Sequence, residues 1–376
     1  MKNPNEIFFN FLERKDGSPK VITAPIFGTF FCTGWNGKEW IPPLLNETVV
    51  EDLLSCGQAA GVIPIICIGW WDLNPFGWET EEISSDENHH SYALVLRGKS
   101  GTLRQIYEDR PRLGSIVKHH PIRNTEDYKI VLETFDNLKE NEDRVRNEIT
   151  KIIRQAGNRG VLYLNVPMPH LVFGLIDDQQ LIYDLADYPE RLTEIFDECA
   201  KAAFKLVDIG LEAGIRIFFC GTHGILGPNL IKQYAVPYAV KLREKLHAHN
   251  SFLYLHECGK MKAMIETGIY NEICPDILEG FDHPPVGDVD DLSWARARLD
   301  PKIIFKGNLR LEDLKNGPPQ RIRQLCQETI TAVKGHPHIL GTSCSILYGT
   351  PIQHVQAMAD QAPLCHSREG GNPDFG

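Results

Sequence analysis

The sequence contains no uninterrupted apolar segment of about 18 residues, the length that a membrane-spanning helix needs. It also lacks an excess of positive charge, since 39 Lys and Arg side chains stand against 50 Asp and Glu side chains for a net charge of −11. A general nucleic-acid-binding surface would be basic. The opening residues, MKNPNEIFFNFLERKDG, show no basic start, long apolar stretch or small-residue cleavage site, so they predict no secretory signal. These absences predict a cytoplasmic protein that binds neither membranes nor nucleic acid.

A dense cysteine framework is missing as well. The ten cysteines are scattered over 376 residues, and several lie inside apolar runs. A disulfide-stabilised scaffold would be shorter and richer in cysteine, so most of these thiols are expected to be reduced, buried and small. The apolar fraction of 42% and the charged fraction of 24% are typical of a globular enzyme.

Short apolar runs recur along the chain, and each ends in a polar or glycine-bearing exit. Continuous apolar runs favour strands that are buried on both faces, as in a parallel sheet. The runs cover residues 21–26, 62–68, 161–166, 215–220, 252–256, 276–279, 302–306 and 338–341.

Helical patterns separate most of these runs. The clearest cover residues 189–211, 229–249, 260–267 and 319–333. The alternation of strands and helices predicts the α/β class and a single (β/α)8 TIM barrel that spans residues 1–364. A doubly wound open sheet is the alternative, and the number of strands favours the barrel.

Two regions are predicted additions to the barrel. Residues 70–123 form an insertion or lid after strand two, in which two alternating runs on either side of Gly101 predict a β-hairpin. Residues 365–376 have no apolar period and predict a disordered tail.

The stretch LHECGK, residues 255–260, places soft metal ligands at the end of a strand. His256 ends the fifth predicted strand, Cys258 lies in the loop beyond it, and Cys344 lies just after the eighth. In a (β/α)8 barrel the carboxyl ends of the strands carry the chemistry. An imidazole and two thiolates are good zinc ligands, and three protein ligands with an open fourth position are typical of a catalytic zinc.

The residues alone leave alternatives open at this site. His256 and Cys258 could be an ordinary hydrogen-bonded strand end. Cys220 ends the neighbouring fourth strand, with His223 close behind, and competes with Cys344 as the third ligand. Alternatively, Cys220 is a small apolar residue buried in the core.

Four motifs carry a resemblance to a known family. They are HECGK, LEGFDHPPVGDVDDL, KGNLRLEDLKNG and YGTPIQHVQAMADQA, and from about residue 124 to 362 the chain resembles the uroporphyrinogen decarboxylase superfamily. Porphyrin decarboxylases of this superfamily carry arginines in an N-terminal RQAGRY-like segment that bind substrate carboxylates. The segment here, GTFFCTGWNGKEW, has no arginine, and arginine is favoured for that recognition.

The chain more closely resembles the zinc-dependent methylcobamide:coenzyme M methyltransferase-like branch. The motif of that branch is His-x-Cys with a distant Cys near the last strand, and His256, Cys258 and Cys344 match it position by position. The resemblance implies Zn²⁺ as a cofactor and methylcobalamin carried by a partner corrinoid protein. It also implies methyl transfer to a zinc-activated thiol or a similar acceptor, and relatives of this kind suggest a homodimer.

Further site residues are predicted around the metal ligands. Trp70 and Trp71 are expected to wall an apolar mouth beside the cofactor together with Phe76 and Trp78, and core packing is the alternative for all four. Two residues are predicted to be catalytic because they follow strands: Glu279, which could complete the zinc shell or act on a substrate proton, and Asn308. The resemblance implies a third, Asp72, as the match to a strand-two aspartate of the porphyrin decarboxylases.

Two other functions compete with methyl transfer. A metal-free decarboxylase-like enzyme would need cationic groups for a carboxylated substrate, and Arg97, Arg104 and Arg112 in the insertion are the substitutes that the sequence offers. A barrel without catalytic activity could serve as a binding partner of a corrinoid protein.

Overall fold

The structure is a computed structural model that describes residues 3–28, 31–32, 35, 47–85, 90–110, 114–222 and 226–362. The predicted tail at residues 365–376 lies outside the described residues. The strands are β1 (Val21–Thr23), β2 (Ile65–Ile68), β3 (Glu79–Ser85), β4 (His90–Gly98), β5 (Gly101–Arg110), β6 (Gly114–His119), β7 (Val161–Asn165), β8 (Ile217–Cys220), β9 (Phe252–His256), β10 (Ile277–Glu279), β11 (Ile304–Leu309) and β12 (His338–Thr342).

Helices lie between these strands. They are α1 (Pro4–Leu12), α2 (Glu47–Ala60), α3 (Trp70–Leu73), α4 (Asp127–Thr134), α5 (Leu138–Ala156), α6 (Asp178–Asp187), α7 (Pro189–Ala213), α8 (Pro228–Tyr234), α9 (Val236–Ala248), α10 (Lys262–Glu266), α11 (Ile269–Ile273), α12 (Leu292–Arg296), α13 (Leu311–Asn316), α14 (Pro319–Ala332) and α15 (Ile352–Ala359), with 3-10 helices at Phe135–Asn137 and Pro169–Gly174.

The main sheet has eight parallel strands in the order β1-β12-β11-β10-β9-β8-β7-β2. Each predicted strand run overlaps one of them. The two ends of this order lie next to each other, because Ile63 N donates a 3.0 Å hydrogen bond to Thr23 O and Ile26 pairs with Ile65 in a parallel bridge. The fold is therefore α/β with a curled eight-stranded parallel sheet of the TIM-barrel-like kind.

An apolar cluster fills the sheet interior. It takes residues from every strand of the main sheet, and the buried face of α1 packs into it with Ile7, Phe8, Phe11 and Leu12. The buried strand residues are Ile22, Ile65, Val161, Tyr163, Ile217, Tyr254, Ile277, Ile304 and Ile339. The N-terminal helix thus packs against the interior of the sheet, and the polar side chains described below lie at the carboxyl ends of the strands.

The region after β2 folds as a separate antiparallel sheet in the order β3-β4-β5-β6. The two runs around Gly101 are its central strands, which pair from His90 with Asp109 to Gly98 with Gly101. The outer strands β3 and β6 were not predicted. Glu79–Ser85 is mostly exposed and polar, so it lacks the alternation that marks a half-buried strand.

One predicted helix is divided in two. The pattern over residues 229–249 predicts a single helix, whereas α8 ends at Tyr234 and α9 begins at Val236. Pro237 lies in the first turn of α9, where its missing N–H costs nothing, but it could not continue a helix from upstream. Within the residues described, no helix combines the length and apolar character needed to cross a lipid bilayer.

Candidate metal centre

Three charged or polar side chains form a row across neighbouring strands. His256 ends β9, Glu279 ends β10 and Lys306 lies in β11, and the parallel register pairs Glu279 with both of the others. Residues paired at one level of a barrel project to the same side of the sheet. The register alone therefore brings these three side chains together.

The contacts in this row fix the orientation of the histidine. His256 Nδ1 lies 2.6 Å from Glu279 Oε2, while the ammonium of Lys306 pairs with Oε1 of the same carboxylate. Glu279 and Lys306 are fully buried. Because Nδ1–H donates to the carboxylate, Nε2 of His256 faces the opposite way and is left for a ligand.

Two thiols meet that nitrogen. Cys258 Sγ lies 2.8 Å from His256 Nε2, and Cys344 Sγ lies 4.0 Å from it. The three ligand atoms all lie within 4.8 Å of one another. Although β9 and β12 are not neighbours in the sheet, the loop after β12 carries Cys344 across the ends of β10 and β11 to His256.

The competing third ligand does not belong to this group. Cys220 is buried at the end of β8, and burial raises the pKa of its thiol. It lines the pocket beside His256, but its sulfur is not among the ligand atoms that lie within 4.8 Å of one another. The geometry brings Cys344 to the site, as predicted.

The charges of the group follow from these contacts. The hydrogen bond between Cys258 and Cys344 is the main cause that lowers the pKa of Cys344, and a second bond from His256 adds to it, so that this pKa falls to about 5. The bond between the two thiols raises the pKa of Cys258. Burial lowers the pKa of His256, but Glu279 and Cys344 outweigh burial and raise it to about 10. Burial raises the pKa of Glu279, but Lys306 and His256 outweigh burial and lower it to about 2. Without metal, the Cys344 thiolate therefore lies beside the His256 imidazolium, which donates a hydrogen bond to the Glu279 carboxylate.

Backbone contacts hold the loop that carries Cys258. Glu257 N donates to Glu279 O at 3.0 Å, and the buried Glu257 carboxylate accepts from Thr222 N at 2.9 Å. Gly280 has a φ of +130°, and a Cβ there would clash with the carbonyl of Glu257. Only glycine therefore allows this close approach of the two strand exits.

Two aspartates of the LEGFDHPPVGDVDDL motif complete the support of the loop. Gly259 N donates to Asp282 Oδ2 at 2.9 Å, and Asp288 Oδ1 accepts from Met261 N at 2.8 Å and Lys262 N at 3.0 Å. Asp282 therefore holds the loop that carries Cys258, and Asp288 caps the start of α10.

A pocket of about 750 Å³ opens beside the ligand group. Its walls are mainly apolar and aromatic, and the insertion contributes to them. The lining residues are Trp70, Trp71, Tyr107, Val117, Asn165, Val166, Pro167, Met168, Leu171, Phe173, Gly174, Cys220, Gly221, His256, Glu257, Cys258, Gly259 and Lys260.

The four aromatic residues predicted to wall the mouth divide into two pairs. Trp70 and Trp71 line the pocket, and Trp71 is 48% exposed. Phe76 and Trp78 are buried in the core behind them. The predicted pocket wall thus fits Trp70 and Trp71, and the alternative of core packing fits Phe76 and Trp78.

Two of the predicted catalytic residues lie apart from the pocket lining. Asp72 Oδ2 accepts from Gly69 N at 3.0 Å and so caps α3. Asn308 is buried, donates to His283 Nε2 at 3.2 Å and accepts from Thr329 Oγ1 at 3.4 Å. Glu279 contacts the candidate metal ligands through its hydrogen bond with His256. The catalytic roles of all three remain predictions.

The sequence interpretation missed Lys306 and Glu257. The apolar run over residues 302–306 predicts Lys306 as the polar end of a strand, whereas Lys306 lies inside β11, two residues after Ile304 and on the same face. A lysine in that alternation is the signal of an inward-pointing cation. Glu257 lies between two predicted ligands, and no pattern distinguished it.

The arginines that a carboxylated substrate would need lie elsewhere. Arg97 pairs with Glu79 and Glu81 at 3.0 Å, and Arg104 pairs with Glu81 at 2.8 Å. Among the described residues that line the pocket, one is a lysine, Lys260, and none is an arginine. Arg112 and His223 lie outside the described residues.

Comparison with known proteins places the chain among relatives. Residues 110–363 match the model of the uroporphyrinogen decarboxylase (URO-D) family. The uroporphyrinogen decarboxylases of Synechococcus sp. (strain CC9605) and Parasynechococcus marenigrum (strain WH8102) are each 27% identical over 176 residues, which is 45% of this chain and 46% of theirs. The chain thus spans about half the length of the curated relatives it matches.

A solved structure shares the fold over nearly the whole chain. The methyltransferase from Methanosarcina mazei superposes with a TM-score of 0.68 at 14% identity, covering 96% of this chain and 98% of that one. That likeness shows a common fold. Because the family match extends over more than half of the residues, the chain belongs to the uroporphyrinogen decarboxylase family.

Proposed function

We propose that this protein is a zinc-dependent methyltransferase that moves a methyl group between a corrinoid protein carrying methylcobalamin and a thiol or similar acceptor. One observation carries the proposal. An imidazole nitrogen and two thiol sulfurs converge within 4.8 Å, and His256 and Cys258 of this group line a pocket large enough for a small molecule.

The donor set fits zinc. One nitrogen and two sulfurs leave a fourth position for substrate, and the Glu279 carboxylate on His256 is the partner that zinc-binding histidines commonly have. When bound, zinc would lower the pKa of a substrate thiol and supply a thiolate at neutral pH.

The side chains around the metal would keep the charges balanced. Two thiolates and a neutral imidazole offset the two charges of zinc, while Lys306 and Glu279 form a buried pair without net charge. A methylated corrinoid held by its own protein would supply the methyl group and keep the electron pair of the bond that it gives up. His256, Cys258 and Cys344 would hold the metal-bound acceptor sulfur, whose electron pair would form the new S–C bond and whose proton would leave to solvent. The apolar pocket walls would exclude water from this exchange.

Decarboxylation is the second candidate function, because the curated sequence relatives are uroporphyrinogen decarboxylases. A polycarboxylate substrate favours arginine forks for its recognition. Arg97 and Arg104 are paired with glutamates outside the pocket lining, and the ligand group would have no role in a metal-free reaction. These observations favour methyl transfer.

Zinc content tests the proposal. Protein purified under reducing conditions would be measured by elemental mass spectrometry as the wild type and as the His256→Ala, Cys344→Ala and Cys220→Ala variants. We expect equimolar zinc in the wild type and in Cys220→Ala, and loss of zinc from the other two. The loss of methylcobalamin absorbance in the presence of thiols then reports transfer.

One result would contradict the proposal, and another would contradict only the assignment of Cys344 as the third ligand. A wild-type protein that stays free of zinc after reconstitution with excess metal has no thiolate-activating centre. Full zinc and full methyl transfer in Cys344→Ala would show that the third ligand is a different residue.

A further inference from the structure

The pocket beside the ligand group contains a corner of perpendicular aromatic rings. The ring of Trp70 lies 6.1 Å from that of Trp71 at an interplanar angle of 77°, and 5.1 Å from that of Phe173 at 88°. All three residues line the pocket. Perpendicular walls present both the face and the edge of a ring to whatever enters the corner.

This corner is held from behind. Trp70 packs edge-to-face on Trp78 at 5.5 Å and 89°, and Phe76 packs on Phe173 at 5.0 Å and 83°. Phe76 and Trp78 are buried. The positions of the Trp70 and Phe173 rings are therefore fixed by the core and need no ligand to form.

The insertion supplies the facing wall. Tyr107 lines the pocket and stacks on Tyr92 at 5.1 Å and 9°. Gln105 Nε2, on the same strand, donates to Gly174 O at 2.8 Å and so ties this wall to the segment that carries Phe173.

Two polar side chains of the lining already have hydrogen-bond partners, since the Tyr107 hydroxyl donates to Gln105 and Glu257 is bound as well. Glu257 accepts from Thr222, and Lys260 is exposed at the pocket edge. A thiol with only a two-carbon body and an anionic head would leave most of the 750 Å³ and most of the aromatic surface without contact. Pockets of roughly 300–1,000 Å³ with mainly apolar walls suit ligands of larger size.

We infer that the substrate of this site is a thiol that carries an aromatic ring, which packs into the corner of Trp70, Trp71 and Phe173. The place of the sulfur at the ligand group rests on the proposed function. The place of the ring rests on the pocket walls alone.

Calorimetric titration of zinc-loaded protein with three thiols tests the inference. Phenylmethanethiol carries the ring, cyclohexylmethanethiol has the same bulk without aromaticity, and 2-mercaptoethanesulfonate is short and anionic. We expect the aromatic thiol to bind more tightly than the cyclohexyl thiol, and at least about 10-fold more tightly than the sulfonate, as expected for buried ring contacts.

Variants of the pocket walls test which rings cause the preference for the aromatic thiol. Trp71→Ala removes a half-exposed ring that the core does not need, and Tyr107→Leu removes the facing ring. Each should weaken binding of the aromatic thiol by about 2- to 10-fold and leave binding of the sulfonate unchanged. Tyr183→Ala, at a surface tyrosine that is 54% exposed on α6, is the matched control and should change neither.

The same titrations in metal-free protein separate this inference from the proposed function. Absence of zinc from the purified protein contradicts the methyltransferase, but the aromatic thiol should still bind more tightly than the sulfonate. Equal affinity for the three thiols, with or without zinc, or an unchanged affinity in both pocket variants, overturns the inference.

Discussion

Glu279 uses both of its carboxylate oxygens inside the barrel. One accepts from His256 Nδ1 and the other pairs with Lys306, and the carboxyl group is fully buried. Each oxygen thus already has a side-chain partner inside the barrel. At the scale of single residues, Glu279 therefore acts by fixing which nitrogen of His256 faces Cys258 and Cys344.

Replacing Glu279 by Gln should weaken zinc binding about 10- to 100-fold, because outer carboxylates of this kind orient the imidazole and raise its basicity. Competition with a chromophoric chelator measures the affinity. Glu272→Gln, at an exposed glutamate of the preceding helix α11, is the control and should bind zinc like the wild type. Wild-type affinity in Glu279→Gln would remove the orienting role.

Replacing Lys306 by Met should lower the free energy of unfolding by about 3–5 kcal/mol, because it leaves the buried carboxylate of Glu279 without its partner. The double variant Lys306→Met/Glu279→Gln should lose less, since no unpaired charge remains. Denaturation in guanidinium chloride measures both. Equal losses in the single and double variants would show that Lys306 matters only through its packing.

The ligands of the candidate centre could be predicted from the sequence, but the residues that orient them could not. His256, Cys258 and Cys344 are chemically distinctive, and each follows an apolar run. The alternation within β11 marks Lys306 as an inward-pointing cation, but only the register of the sheet pairs it with Glu279. Register joins residues 27 positions apart, and no local pattern contains that information.

At the scale of elements, one segment of chain supports another. The loop after β9 carries Cys258, and the segment after β10 holds that loop through Asp282 and Asp288. Both loops leave neighbouring strands of the sheet at the same edge. The position of Cys258 thus depends on a motif more than 20 residues away in sequence.

Asp282→Ala should lower the free energy of unfolding by about 1.5–3 kcal/mol and speed zinc release, because the buried carboxylate accepts a hydrogen bond from Gly259 N. Asp290→Ala is the matched control. Its side chain is 64% exposed and pairs only with Lys262 at 3.3 Å, so the loss should stay below about 1 kcal/mol. Thermal unfolding and the rate of zinc transfer to a chelator are the measurements, and equal effects of the two variants would contradict the support role of Asp282.

The histidine that begins β12 should make folding sensitive to acid. His338 Nε2 lies 2.7 Å from Gly307 O, and burial lowers its pKa to about 4. Its unfolded value is near 6.5, so its contribution is complete above pH 6.5 and is lost as the pH falls towards 4. We expect a loss of about 3 kcal/mol over that range.

Denaturation of the wild type and of His338→Gln at pH 7.5 and 4.5 measures this contribution. The wild type should lose more stability on acidification than the variant, whose amide takes up no proton. The same loss in both proteins would assign the acid sensitivity to other groups.

At the scale of the whole molecule, the ligand group joins distant parts of the sheet. β9 and β12 are separated by two strands, yet their exit loops meet at His256 and Cys344. A metal held there would bind only the folded chain, since the ligands lie 88 residues apart in sequence.

Zinc at a hundredfold excess over its Kd should therefore stabilise the protein by about 2.7 kcal/mol. Calorimetric unfolding with added zinc, and again after chelation, measures the shift in Tm. Cys344→Ser should show little of this shift, whereas Cys220→Ser should show all of it. An equal shift in the two variants would place the stabilising zinc elsewhere.

The barrel-like sheet was easier to predict than the insertion. Strands buried on both faces appear as continuous apolar runs, and all eight were recognised. β3 and β6 are edge strands with exposed side chains, which need no such pattern to pair. The Trp70 and Trp71 part of the pocket wall was predicted, whereas the part around Phe173 was not, because it comes from a segment that only the fold brings to the insertion.

The row of His256, Glu279 and Lys306 belongs to the strands of the main sheet, whereas the aromatic walls of the pocket come from the insertion and from segments between strands. The part of the site that would hold the metal and the part that would select the substrate are thus encoded in separate stretches of sequence. Substitutions in the aromatic walls can therefore change the part that would select the substrate without replacing the candidate metal ligands. Libraries confined to residues 70–71, 107 and 117 are the place to search for new acceptors.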